Sequence, residues 1–362
     1  MGKKIEVVAP DKLNGHAKNH AGIYVPTKAT VASMLRKFMV DPDKLPGYIK
    51  SSNELSILEV ARKKGRAVLF VGPTGVAKTL LANSFAAKTG MPLVTVYANE
   101  DMTDGKMRGY KTFETVPIEM DGRLDKLTVT TFSPAPLSLA ALPSDEPVVL
   151  FIDELHKIRE GISSLLHSLT NERELPLIDI IGDKFSLHPD TIVIGSLNPQ
   201  YGIGIDKIDP ALRQRFVTMY FSMPTQKERL ERIIRANLDR SKGDDLTPQP
   251  TAQSPVDIDR AISQLSDAVA DLTQTFYGYS SGSVSPAALT SGLDGAVLSN
   301  ITEPPSPRTL VSAIEFIAEG IPIDDAVKVN LVNTVVRDFE RTANGLMQYF
   351  RGKVSGMSRP SP

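Results

Sequence analysis

The chain has 362 residues, 41% of them hydrophobic, which suits two or three folded domains with a sizeable core and excludes disorder throughout. Lys and Arg number 41 against 42 Asp and Glu, a net charge of −1, so the global basic field that non-specific nucleic-acid binding relies on is missing, although a local patch stays open. Cysteine is absent, which removes disulfides, thiolate zinc sites and cysteine nucleophiles and fits a reducing cytosol. No apolar run approaches the roughly 20 residues of a membrane span, and Met1-Gly-Lys-Lys-Ile-Glu6 lacks the apolar centre of a signal peptide, so the expected location is cytoplasmic.

Residues 1–50 read as an irregular N-terminal arm, in which Gly15, Gly22, Pro26, Pro42 and Pro46 interrupt one short helical pattern at Ala29–Val40. From Glu54 to Thr218 short β-rich runs alternate with helical ones. Val68–Val71, Leu93–Tyr97, Val148–Asp153 and Thr191–Asn198 are the strand candidates, nearly all apolar, as strands covered on both faces should be. The alternation predicts an α/β fold, a parallel sheet flanked by helices, over residues 51–223. After Pro224 only helical periodicity remains, at Gln226–Leu238, Ile258–Phe276, Thr309–Ala318 and Asp324–Phe350, which predicts an all-α domain over 224–362. Two polar, Gly/Pro/Ser-rich stretches, Ser241–Pro255 and Tyr277–Pro307, read there as loops or insertions.

The segment Val68-Leu-Phe-Val-Gly-Pro-Thr-Gly-Val-Ala-Lys-Thr79 is an apolar strand, a glycine turn, and then Lys78-Thr79 opening a helical pattern. That is the layout of a phosphate-binding loop. Small residues let backbone N–H groups face the phosphates, and the following helix adds its positive dipole end. Lys78 would reach the β/γ-phosphates and Thr79 would hold Mg²⁺. The pattern G-x-x-x-x-G-K-[ST] has one departure, Ala77 in place of its second glycine. A methyl group there would crowd the phosphate or force a left-handed residue, at about 1–2 kcal/mol. A strand-to-helix turn without ligand is the plain alternative.

Val148-Val-Leu-Phe-Ile-Asp-Glu154 is an apolar strand ending in two carboxylates on opposite faces. Asp153 would support the Mg²⁺ shell and Glu154 would act as general base on the attacking water; alternatively Asp153 simply caps a helix. Thr191-Ile-Val-Ile-Gly-Ser-Leu-Asn-Pro199 ends in Asn198, an amide able to orient the water or contact the γ-phosphate, or else a plain Asn-Pro turn. Asp209-Pro-Ala-Leu-Arg-Gln-Arg-Phe216 carries Arg213 and Arg215, guanidinium groups suited to a transferring phosphoryl or merely solvated. Pro305-Ser-Pro-Arg-Thr309 sets Arg308 in the first turn of a helix, where a cation gains nothing from the helix dipole.

In this order the motifs resemble those of the AAA+ ATPases. The resemblance assigns Walker A to Gly72, Pro73, Thr74, Gly75, Val76, Ala77, Lys78 and Thr79 with Leu80 beside them, and Walker B to Leu150–Glu154. It makes Asn198 sensor 1, Arg215 the arginine finger with Arg213 as neighbour, and Arg308 sensor 2. Gly72-Pro-Thr-Gly-Val76, Asn198-Pro-Gln-Tyr201, Arg213-Gln-Arg-Phe-Val217, Ser306-Pro-Arg308 and Tyr24-Val-Pro26 are similar to the MoxR-type branch, particularly its CbbQ/NorQ-like members, where alanine before the Walker lysine also occurs. The resemblance implies a P-loop AAA+ core with an all-α lid, ATP and Mg²⁺ as cofactors, a helix-2 insert at about 110–147 and a pre-sensor hairpin at about 175–189. The hairpin reads as Leu175–Pro189, turning at Gly182-Asp183.

Such insertions face a pore or a client, making Tyr110, Phe113 and the tip around Asp183-Lys184 candidate contacts, with core packing the ordinary use of each aromatic. His16 and His20 share i,i+4 spacing but lack a carboxylate to complete a metal triad. The function implied is a Mg²⁺-ATP-dependent ring ATPase, a hexamer, that remodels, activates or assembles a client protein complex, commonly through a partner with a von Willebrand A-type domain. The alternatives are a nucleotide-gated binding module with little hydrolysis, or a gas-vesicle or virion assembly ATPase of the same branch. A nucleic-acid motor is disfavoured by the neutral composition.

Overall fold

The computed structural model describes residues 12–13, 15–50, 53–120, 123–158, 160–199, 210–241, 257–283, 293–336 and 341–357. Its strands, in chain order, are β1 (Lys12–Leu13), β2 (His16–Lys18), β3 (Tyr24–Pro26), β4 (Ala67–Val71), β5 (Leu93–Tyr97), β6 (Gly109–Met120), β7 (Arg123–Pro134), β8 (Val149–Asp153), β9 (Glu174–Leu177), β10 (Asp183–Ser186), β11 (Ile192–Leu197) and β12 (Phe216–Tyr220). Residue contacts divide the chain into two units. The first holds the described residues within 1–45, 51–72 and 78–220; the second holds those within 46–50, 73–77 and 221–362.

The centre of the first unit is a five-stranded sheet in the order β12-β4-β11-β8-β5, every neighbouring pair parallel. Every residue of β4 and β11 is buried, because these apolar runs lie inside the sheet with packing on both faces. The four expected strands are present. The fifth, β12 (Phe216–Tyr220), begins where the Arg213–Val217 motif ends and lacks a long apolar run of its own: Val217 and Tyr220 are exposed at the sheet's edge.

The insert and the arm form a second sheet, β1-β2-β3-β7-β6. Strands β6 and β7 make a twelve-residue antiparallel hairpin from Gly109↔Pro134 to Met120↔Arg123. Threonine, with Tyr110, Phe113, Val116, Val129 and Phe132, supplies β-forming residues along both strands, a signal that the expectation of an insert at about 110–147 leaves unread. The arm is more ordered than expected: β2 pairs with β3, and Tyr24 joins β7 opposite Thr131 and packs with Val116 and Val129. The helical stretch there is Lys28–Leu35, capped by Thr27.

In the hairpin expected at Leu175–Pro189, β9 pairs with β10, Leu177 opposite Asp183. Its connection is not a two-residue turn. A helical turn, Ile178–Ile181, precedes Gly182, whose φ of +81° closes it.

The second unit is helical, with Leu265, Val269, Leu310, Ile314, Leu331, Leu346 and Phe350 in its core. Two expectations are corrected. Within Tyr277–Pro307, the helix Ile258–Ser280 continues past Tyr277, and Leu293, Val297 and Leu298 anchor a further helix, Gly295–Ser299, in the core. The span Asp324–Phe350 is not one helix. Helix Ile323–Val327 runs into a wide turn at Lys328–Val332, Val336 bridges to Ile301, and Arg341–Lys353 is a separate helix. With neither Gly nor Pro at the break, apolar spacing alone could not reveal it. Residues 242–255 of the other polar stretch, 284–292, Gln200, Tyr201 and Asp209 lie outside the described residues.

Candidate nucleotide-binding site

Three adjacent strands, β4, β11 and β8, deliver three motifs to one edge of the sheet. Val71 pairs with Leu197 and Gly195 with Ile152, so Gly72, Asn198 and Asp153 emerge side by side at the carboxyl ends. The Gly72 N–H donates to the Leu197 carbonyl at 3.2 Å, tying the start of the loop to the end of β11. After β4 the chain crosses to one side, and after β11 to the other. A crevice between two such strands is where open α/β sheets hold ligands.

The loop runs Gly72–Ala77 into the helix Lys78–Thr89. Lys78 is buried, 9% exposed, and its Nζ donates to the Gly72 carbonyl at 2.6 Å, curling the ammonium over its own loop. Gly75 has a φ of +82° and abuts Ser306 and Arg308 of the second unit, to which Pro73–Ala77 belong. Thr74 is exposed; Pro73, Val76, Ala77, Thr79 and Leu80 are half-buried. Ala77 adopts a φ of +68°, the left-handed conformation that its glycine-replacing position demands. Arg308 occupies the first turn of the helix Pro307–Ala318, capped by Ser306, whose Oγ accepts from the Thr309 N–H at 3.3 Å.

Asp153 ends β8, and its Oδ1 accepts a short hydrogen bond from the Ser196 hydroxyl. The Glu154 N–H donates to Asp153 Oδ1 at 3.2 Å and to Ser196 Oγ at 3.3 Å. Ser196 therefore fixes both acidic residues, a role the sequence reading missed. The signal was available: Ser196 lies two residues before Asn198 and shares its face of the strand. Glu154 is left-handed at φ 56°, ψ 42°, and its carboxylate pairs with Lys157 at 2.6 Å. Both partners are about half exposed, so the pair is readily exchanged.

Arg213 and Arg215 lie elsewhere. Arg213 is exposed at the end of the helix Pro210–Arg213, and Arg215 immediately precedes β12. Because Phe216 pairs with Ala67 at the amino end of β4, Arg215 stands about 20 Å from the Gly72 end of that strand, far beyond an arginine's length. Its Nη1 meets Nδ1 of His167, the last residue of the helix Glu160–His167.

The client-contact candidates also sort themselves. Tyr110 is 57% and Phe113 74% exposed, so neither is a core residue. Asp183 instead faces His20 and Asn19 of the arm at 3.4 and 3.3 Å, and Lys184 pairs with Glu174 at 2.8 Å. The exposed apolar residue of that hairpin is Ile178. Arg108 anchors the hairpin's helical turn: it is buried, donates to the Pro176 carbonyl at 2.7 Å, and grips Asp179 with two bonds at 2.7 and 2.8 Å.

Residues 67–216 match the AAA domain (dynein-related subfamily). Protein NorQ of Paracoccus denitrificans is 30% identical over 198 residues, 54% of this chain and 68% of that protein. The chain belongs to the NorQ-like AAA+ ATPases. Within that family, protein CbbQ of Hydrogenophilus thermoluteolus is 28% identical over 179 residues, 49% of this chain and 61% of its own length. The denitrification regulatory protein NirQ of Stutzerimonas stutzeri is 29% identical over 189 residues, 52% and 63% respectively. The NorQ-like chain thus spans about two thirds of the length of these relatives. It is a P-loop ATPase with a parallel sheet flanked by helices and a helical carboxyl-terminal region. Among the described residues no helix is long and apolar enough to cross a membrane.

The residues at the carboxyl edge fit ATP and Mg²⁺ chemically. A buried ammonium, a left-handed loop of small residues and a helix amino terminus suit phosphate, and the Thr79 hydroxyl with the Asp153 carboxylate are hard oxygen donors.

Proposed function

We propose that this chain is a Mg²⁺-dependent ATPase that works as a cytoplasmic ring, a hexamer, and remodels, activates or assembles a client protein complex. Its client would be an enzyme complex reached through a partner with a von Willebrand A-type domain. The observation that carries the reading is the separation of Arg215 from the loop of its own subunit. A guanidinium at the amino edge of the sheet has no route to its own γ-phosphate, and a neighbouring subunit gives it one.

In this reading Lys78 leaves the Gly72 carbonyl for the β/γ-phosphates, and Thr79 and Asp153 hold Mg²⁺, which when bound offsets phosphate charge. Glu154 exchanges Lys157 for the attacking water and takes its proton as the water oxygen bonds to the γ-phosphorus and ADP leaves. Asn198 orients that water, Arg308 contacts the nucleotide, and Arg215, with Arg213 beside it, acts on the neighbour's γ-phosphate. Tyr110 and Phe113, exposed on the long hairpin, face the client.

A second reading has support from Ala77: its methyl group in the loop favours a nucleotide-gated module with slow turnover. Turnover per subunit, followed as protein concentration rises, separates the two. A steep rise that Glu154→Gln abolishes while ATP binding persists supports the ring ATPase; bound ATP without turnover at any concentration supports the module.

A further inference from the structure

We infer that His167 is a positioning residue for Arg215, orienting the guanidinium toward the neighbouring subunit's nucleotide; this rests on the proposed role of Arg215. Two separate stretches of chain bring the pair to the same edge of the sheet. The helix Glu160–His167 follows the acidic strand β8 and crosses back. Just beyond it, Arg173 donates to the carbonyls of Gly65 and Thr191 at 3.2 and 2.8 Å, immediately before β4 and β11 begin. Arg215 arrives there from the other direction, its N–H closing a turn on the Leu212 carbonyl at 3.1 Å before β12 starts opposite Ala67.

The chemistry of the contact is one-sided. A guanidinium only donates, so Nδ1 of His167 is the acceptor and the ring carries its proton on Nε2. A carboxylate in that place would bind more tightly, yet it would cancel the charge that a transferring phosphoryl needs. A neutral imidazole steers without cancelling. Among the described residues no carboxylate pairs with Arg215, and with Nη1 on His167 the guanidinium keeps further N–H donors for phosphoryl oxygens.

The test is steady-state ATP hydrolysis by the full chain carrying His167→Leu or His167→Asn, with sizing of each variant at the assay concentration. Asn places its amide oxygen near the position of Nδ1 and keeps the acceptor; Leu removes it. The expected result is a kcat about tenfold or more lower for His167→Leu, with the KM for ATP and the assembly unchanged, and a kcat largely restored in His167→Asn. Should His167→Leu fail to fold, His167→Ala, which also removes the acceptor, takes its place in the comparison. Unchanged kcat in the acceptor-free variant, or an Asn variant as impaired as the others, overturns the inference. The reading beneath it fails separately: Arg215→Ala with undiminished turnover would remove the finger itself, whatever His167 does.

Discussion

Gly75 and Ser306 approach so closely that a β-carbon on Gly75 would lie 2.6 Å from Ser306 Cβ and 2.7 Å from its Oγ. Gly75 is thus required twice, by its φ of +82° and by its neighbour. Ala77, two residues on, is left-handed while carrying a methyl group.

The two positions should respond oppositely. Gly75→Ala should lower the melting temperature and weaken ATP binding. Ala77→Gly should stabilise the chain by roughly 0.5–1 kcal/mol, the left-handed strain relieved less the extra freedom of glycine when unfolded. Thermal melts with and without ATP check both.

Arg108 and Asp179 set a pH dependence. The Arg108 hydrogen bonds and charge hold the Asp179 carboxyl below its ordinary value. A carboxyl lowered in the folded state contributes its stability fully above its unfolded value and loses it as the pH falls through the folded one. Arg108 is buried and also holds the Pro176 carbonyl, so Arg108→Met, which leaves that carbonyl without its donor, should cost on the order of 1–2 kcal/mol at neutral pH. Asp179→Asn should narrow its difference from wild type as the pH drops below the ordinary carboxylate range, as followed by chemical denaturation.

Phe113 and Phe132 offer a contrast within one hairpin. Phe113 is 74% exposed on β6, whereas Phe132 on β7 is 1% exposed in the core of the first unit. Phe132→Ala should cost about 3–5 kcal/mol, and Phe113→Ala should stay within about 0.5 kcal/mol of wild type in the same melts. Basal ATP turnover should be unchanged in Phe113→Ala.

Much of this architecture is written locally. The strands β4, β5, β8 and β11 are nearly all apolar, and the loop, the acidic pair and Asn198 stand at their ends, so their place in the fold is read from short-range pattern. What escaped depends on partners distant in sequence. Strand β12 is an edge strand with an exposed face, and the short arm strands β1–β3 pair with one another and join the sheet through Tyr24 opposite Thr131 of β7. Ser196 and His167 likewise have meaning only beside Asp153 and Arg215. The Asp324–Phe350 span failed for another reason: helical periodicity continues across a break that neither Gly nor Pro marks.

The central claim, that each site takes its catalytic arginine from the next subunit, is tested most directly by mixing two inactive variants. Arg215→Ala keeps an intact loop, Asp153 and Glu154 but offers no finger, and Glu154→Gln offers a finger but lacks the base. Each alone should lose about 10²-fold or more of wild-type turnover. Co-assembled, they should hydrolyse ATP well above the sum of the separate preparations, because an Arg215→Ala subunit then receives its arginine from a Glu154→Gln neighbour. A mixture no more active than its parts, with exchange of subunits demonstrated by sizing of labelled chains, would contradict the account.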